Sequence, residues 1–141
     1  MKIDDTDSLI LEKLKQDSRK TIREIAKELT LRPSTVHQRI TKLRDASVIE
    51  KFTIKTSNKL VGENFIVLML VSTEGVIIPQ NAFKDKHIKE VFGITGEYDI
   101  MIKMKFLDVE EFNQFILDFR KKYSLKKTVT MVATVNIKED Y

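Results

Sequence analysis

The chain has 141 residues, enough for one domain of ordinary size or two small ones. Hydrophobic residues make up 42%, which excludes global disorder; the absence of cysteine excludes disulfides, thiolate nucleophiles and cysteine-held zinc. The net charge of +4 is unevenly spread: residues 1–60 hold 14 Lys and Arg against 9 Asp and Glu, and residues 61–141 hold 11 against 12. A local basic excess attracts polyanions through counterion release, although a solvated lysine-rich surface carries the same charge. Two histidines, His37 and His87, are too few for a histidine-rich metal site, so no metal is expected. The longest apolar run, Phe65–Val71, is far short of the roughly 20 residues of a membrane span. The N-terminus carries Asp4, Asp5 and Asp7 where a signal peptide would be apolar, so a cytoplasmic protein away from membranes is expected.

In chain order, Ile10, Leu11 and Leu14 place an apolar stripe on a first helix from about Asp5 to Asp17. Thr21-Ile22-Arg23-Glu24 has the form of a capping box opening a second helix, with Ile22, Ile25, Ala26 and Leu29 inward. Pro33 suits the first position of a third helix, whose buried stripe is Val36, Ile40 and Leu43. Only Thr30, Leu31 and Arg32 separate helices two and three, and so short a turn forces the steep crossing of a helix-turn-helix. Lys51–Lys55 alternates polar residues with Phe52 and Ile54, as a short strand or wing would.

After residue 60 the texture changes. Phe65–Val71 reads as a strand covered on both faces. Pro79–Glu90 reads as a helix with a thin stripe of Phe83, Ile88 and Val91, which places His87 on a helix surface. Val91–Thr95 follows as a short strand, and Gly96-Glu97 as a turn. Tyr98–Phe106 alternates, with Ile100, Ile102, Met104 and Phe106 on one face and Met101, Lys103 and Lys105 on the other. Asp108 then caps a helix bearing Phe112, Phe115, Ile116 and Phe119 at helical spacing, and Val129–Ile137 alternates again. This order predicts an α+β chain: a helix-turn-helix over 1–50, a wing or hinge over 51–62, and a ferredoxin-like βαββαβ domain over 63–141. Two helices cover one sheet face, so Met101, Val132 and part of the first strand are left apolar on the other, which predicts at least a homodimer.

The third helix carries the functional argument. With roughly 100° per residue, Val36, Ile40 and Leu43 cluster inward while Ser34, Gln38 and Thr41 point away, flanked by Thr35, Lys42 and His37. Gln bonds adenine in two places; Ser and Thr bond several bases or a phosphate; His and Lys favour guanine or the backbone. Arg32 and Arg39 add charge at the margins, and Lys51 follows on the expected wing. An ordinary polar helix face looks the same in isolation. The tight turn before it, the basic surroundings and the lysine-bearing strand after it favour double-stranded DNA.

The stretches "IDDTDSLILEKLKQDSR", "TIREIAKELTLRPSTVHQRITKLRDASVIEKF" and "GEYDIMIKM", in that order, resemble the Lrp/AsnC family of transcriptional regulators over essentially the whole length. The resemblance implies a winged helix-turn-helix, a ferredoxin-like sensing domain, dimers assembling into tetramers or octamers, and an amino acid or related small molecule as effector. Three positions depart from the family pattern: Thr30 and Ser47 stand where glycine is usual, and Arg32 replaces an N-cap serine. A β-branched residue is costly at positive φ, so the turn at Thr30 is expected to deviate. Gly96, Tyr98 and Asp99 are read two ways: as a tight hairpin turn, or by resemblance as part of an effector pocket at the dimer-dimer boundary, in which Asp99 pairs with an amino group. Thr134 lies on a polar strand face that could line the same cleft.

Two further readings stand beside a specific regulator. One is an architectural DNA-binding protein without an effector. The other is enzymatic, because proteins similar to this family include sirohaem decarboxylases. That chemistry calls for convergent histidines and arginines, and after residue 60 the chain offers only His87 and Arg120.

Overall fold

The computed structural model describes residues 2–75 and 77–139. The chain divides into two compact units, Met1–Lys55 and Thr56–Tyr141. Among the described residues no helix is long and apolar enough to cross a membrane.

The first unit holds helices α1 (Asp5–Gln16), α2 (Ile22–Glu28) and α3 (Pro33–Asp45). Each start has a local cause. Asp4 caps α1, its carboxylate accepting from the Asp7 amide at 2.8 Å while Asp7 accepts from the Asp4 amide at 3.3 Å. Thr21 and Glu24 form the expected reciprocal box at α2. α3 starts at Pro33, and Arg32 in the cap position makes no side-chain cap bond. Ile10, Leu14, Ile25, Ala26 and Val36 form the core, edged by Ile22, Leu29, Leu31, Ile40 and Ile49.

The turn between α2 and α3 does not deviate. Thr30 takes φ 55°, and the Leu31 and Thr30 amides donate to the carbonyls of Ala26 and Lys27 at 2.8 and 3.3 Å. This is a Schellman ending, with threonine in the left-handed position that glycine favours. Ser47 repeats it after α3 at φ 55°. The hydrogen bonds to the last carbonyls and the packing of Leu31 hold a conformation that threonine alone would avoid. Residues 51–55 form no strand, contrary to the alternation there. No described strand pairs with them, so periodicity alone does not make a ladder.

The second unit is a four-stranded antiparallel sheet in the order β2-β3-β1-β4, with β1 Phe65–Ser72, β2 Ile88–Gly93, β3 Ile100–Phe106 and β4 Lys127–Val132. This is the ferredoxin-like order. α4 (Val109–Lys122) covers one face, capped by Asp108, which accepts from the Glu111 amide at 2.8 Å. Val67, Met69, Val71, Ile102, Met104 and Phe106 bury against Phe112, Ile116 and Phe119.

The first crossover departs from expectation. Only Gln80–Lys84 is helical, as a 3₁₀ turn, and Ile88 already belongs to β2. Asp85 stops the helix by accepting from the His87 amide at 2.9 Å, and the Lys105 amide donates to the His87 carbonyl at 2.9 Å, drawing the chain into the sheet. His87 is therefore not a helix-surface residue. Its ring stacks on Phe106 with centroids 4.6 Å apart and bonds Asp85 and Glu111 at 2.7 and 3.0 Å.

The other sheet face is only partly covered. Leu68 and Leu70 are half-buried, and Phe92, Val129 and Met131 are 46%, 38% and 42% exposed. Val132 pairs with Val67 and so belongs to the helix-covered side, not to this face. Within one chain α4 covers only one side of β1, and the other side of its apolar run is half-buried at Leu68 and Leu70. At one end of the open face the C-terminal segment lies against the sheet. Glu139 meets Lys103 and Lys105 at 2.5 and 2.9 Å and Asn58 at 2.9 Å, and Lys105 is only 2% exposed.

Candidate DNA-binding face and effector corner

α3 presents its expected polar side to solvent. Ser34, His37, Gln38, Thr41 and Lys42 are exposed, Thr35 is half-buried, and Val36 and Leu43 are buried opposite. Two supports fix this orientation: Pro33 starts the helix, and the aliphatic stripe anchors it against α1 and α2. Arg32 is exposed at the helix's N-terminal end, and Lys51 is exposed beyond its C-terminal end. Arg44, one turn beyond Thr41 and two beyond His37, is also exposed, and sequence reading misses it. Its signal was a place on the helical wheel beside His37. Such a face offers donors and acceptors for base edges and cations for phosphates.

Arg39 does not share this face. Its Nη1 lies 2.8 and 2.7 Å from the two carboxylate oxygens of Asp4 and 2.7 Å from Asp7, whose side chain is only 4% exposed. The bonds to Asp4 and Asp7 raise the guanidinium's pKa further, and that to Arg39 holds the Asp4 carboxyl below its ordinary range. Arg39 faces α1, turned from the exposed polar side of α3.

The Gly96–Asp99 turn joins β2 to β3. Gly96 takes φ +122°, a conformation that a side chain would strain even though a Cβ would meet nothing within 4 Å. Asp99 accepts from the Thr73 amide and hydroxyl at 2.6 and 2.9 Å, and these bonds lower its pKa. Glu97 pairs with Lys127 at 2.5 Å, which lowers its pKa; the same ammonium lies 5.2 Å from the Tyr98 ring centroid. Thr73 and Lys127 therefore belong to this corner. Sequence reading missed both, because they arrive from the end of β1 and the start of β4, 26 and 30 residues away.

Thr134 does not join them. Lys127 pairs with Ser72 at the corner end of β1, whereas the Ala133 amide bonds Ile66 at the other end. At about 3.3 Å per residue, Thr134 lies roughly 20 Å or more from the turn within one protomer.

Residues 3–44 match the family model for the AsnC-type helix-turn-helix domain, and residues 84–141 match that for the Lrp/AsnC ligand binding domain. An HTH-type transcriptional regulator of Pyrococcus furiosus is 38% identical over 144 residues, covering 100% of this chain and 97% of that one. The fold is shared with AsnC of E. coli, at a TM-score of 0.87 and 23% identity over 100% of this chain and 98% of that one. It is also shared with the Neisseria meningitidis transcriptional regulator solved as an L-Met complex, at a TM-score of 0.86 and 24% identity over 99% and 94%.

Proposed function

The chain belongs to the Lrp/AsnC family of transcriptional regulators, and from that premise we propose that it reads an operator with α3 and responds to an amino acid at the Gly96–Asp99 corner. The carrying observation is the exposed side of α3. Ser34, Thr35, His37, Gln38 and Thr41 supply base-edge contacts, while Arg32, Lys42, Arg44 and Lys51 supply phosphate contacts. The test compares affinities for the region upstream of the protein's own gene and for random duplex of equal length, at stated salt. Gln38→Ala is expected to weaken specific binding by about 1–3 kcal/mol and leave random binding unchanged. Lys51→Ala is expected to weaken both and to reduce the salt slope by about 1. No preference for the upstream region would overturn specific regulation and favour the architectural reading.

The effector reading rests on the corner's chemistry and on the L-Met complex of the similar fold. Gly96, Tyr98 and Asp99 offer backbone, ring and carboxylate to a small zwitterion, with Lys127 beside them; Thr134 joins them only from another protomer, across the boundary between dimers. A thermal-shift series over the common amino acids is expected to give one or a few responders, because binding to the native state raises Tm by mass action. Gly96→Ala is expected to abolish the response, since alanine is strained at that φ. A flat wild-type profile would overturn the effector.

The half-exposed apolar sheet face supports at least a homodimer through the second unit. A regulator of this kind acts in the cytoplasm, with the DNA it controls. A decarboxylase reading fares worse: His87 already bonds carboxylates through both ring nitrogens. Incubation with the tetrapyrrole substrate under reducing conditions should yield no turnover.

A further inference from the structure

We propose that Asp4, Asp7 and Arg39 form a clamp that positions the reading helix for DNA without touching DNA, an inference that rests on α3 being the reading element. Aliphatic packing of Ile10 and Leu14 against Val36 holds α1 and α3 together but is non-directional. It tolerates small sliding and rotation of one helix on the other. A guanidinium bonded to two carboxylates has far narrower geometry. Arg39 sits mid-helix in α3, and its three bonds of 2.7–2.8 Å run to the N-cap and third residue of α1.

The anchor is itself fixed. Asp4 and Asp7 form the capping box of α1, so their positions are tied to that helix's backbone. Asp7 is 3% exposed, and a buried carboxylate is tolerable only with a partner of this kind. The clamp therefore transmits the register of α1 to the polar face of α3. It holds two negative charges and one positive, so it adds no attraction for phosphate.

That charge makes the test one of sign. Asp7→Asn removes a negative charge from a basic unit, and long-range electrostatics alone would tighten DNA binding. The clamp predicts the opposite for specific sites. The full-length protein is tested on a duplex selected against wild type from a random pool, and on an unselected duplex, at a temperature where circular dichroism shows every variant folded. Asp7→Asn and Arg39→Met are expected to lose at least tenfold in affinity for the selected duplex. Their affinity for the unselected duplex should hold or rise, and the slope of log K against log salt should stay at the wild-type value. Arg39→Lys, which keeps one ion pair, should recover part of the discrimination and serves if Arg39→Met does not fold. A slope reduced by about 0.9 in the Arg39 variants on both duplexes would make Arg39 a phosphate contact and overturn the clamp. So would equal tightening on both duplexes by Asp7→Asn. If the wild type selects no duplex, it is the operator-reading function that fails, a result distinct from either.

Discussion

Arg39 shows how far a residue's chemistry depends on what lies across from it. On a helical wheel it sits beside Thr35 and invites a phosphate; in the fold it is spent on two carboxylates of α1. Thr30 is the complementary case, a residue kept in place by its surroundings against its own preference. A non-glycine residue in the left-handed region costs about 1–2 kcal/mol, and a β-branched one sits at the upper end. Thr30→Gly is therefore expected to stabilise the first unit by about 1 kcal/mol, less part of glycine's added freedom in the unfolded chain. Chemical denaturation of wild type and variant checks this; an unchanged midpoint would show that the neighbouring bonds remove the strain. Arg32→Ser should likewise stabilise, by about 1 kcal/mol through a new N-cap, while weakening binding to all DNA by loss of one cation.

The C-terminal segment matters as an element because it brings a carboxylate to two lysines on a sheet. Burial pushes the Glu139 carboxyl up, but bonds from Lys103, Asn58 and Lys105 outweigh burial and hold it well below the usual range. Lys103 is treated in the same way: burial opposes its charge, and Glu139 and Glu90 more than restore it, raising its pKa. A carboxyl with a depressed folded pKa stabilises above its unfolded pKa, and that stability fades as pH falls towards the folded value. Glu139→Gln is expected to destabilise the fold at neutral pH, because the ion pairs of Glu139 with Lys103 and the buried Lys105 are lost. Below about pH 4 the gap between wild type and variant should narrow. A constant gap across pH would mean the loss is of packing rather than charge.

At the scale of the molecule, the sheet has one dry face and one half-open face. α4 and the aromatic cluster of Phe106, Phe112, Phe115 and Phe119 serve the first. Leu68, Leu70, Phe92, Met101, Val129 and Met131 leave the second apolar, interrupted by the Lys103 ion pairs at one end. Leu70→Lys would place a charge at the centre of this face, opposite Met101 and Val129. If the face joins two protomers, the substitution is expected to raise the dimer dissociation constant by roughly 30-fold or more, the scale of losing a central interface residue. Sedimentation equilibrium reads it directly. An unshifted constant would place the dimer elsewhere.

The four α-helices, the caps of α2 and α4 and three of the four strands are legible in the chain because each rests on residues a few positions apart. Thr21 and Glu24 close a box within four residues, Pro33 opens α3 by its own ring, and Phe112 to Phe119 declare α4 by spacing. The exposed side of α3 is legible for the same reason, since burial of Val36 and Leu43 dictates what faces out. Only the tertiary structure decides what depends on partners distant in sequence. Strand pairing made Ile88 part of β2 and left residues 51–55 without a ladder, although both had periodicity. Chain topology brought Thr73 and Lys127 to the Gly96–Asp99 corner and carried Thr134 to the far end of the sheet. Ion pairing over 32 or more positions turned Arg39 inward and buried Lys105 beneath Glu139. Periodicity encodes which side of an element is inward; a hydrogen bond or ion pair is a property of two sites, and the second comes into reach only once the chain has folded.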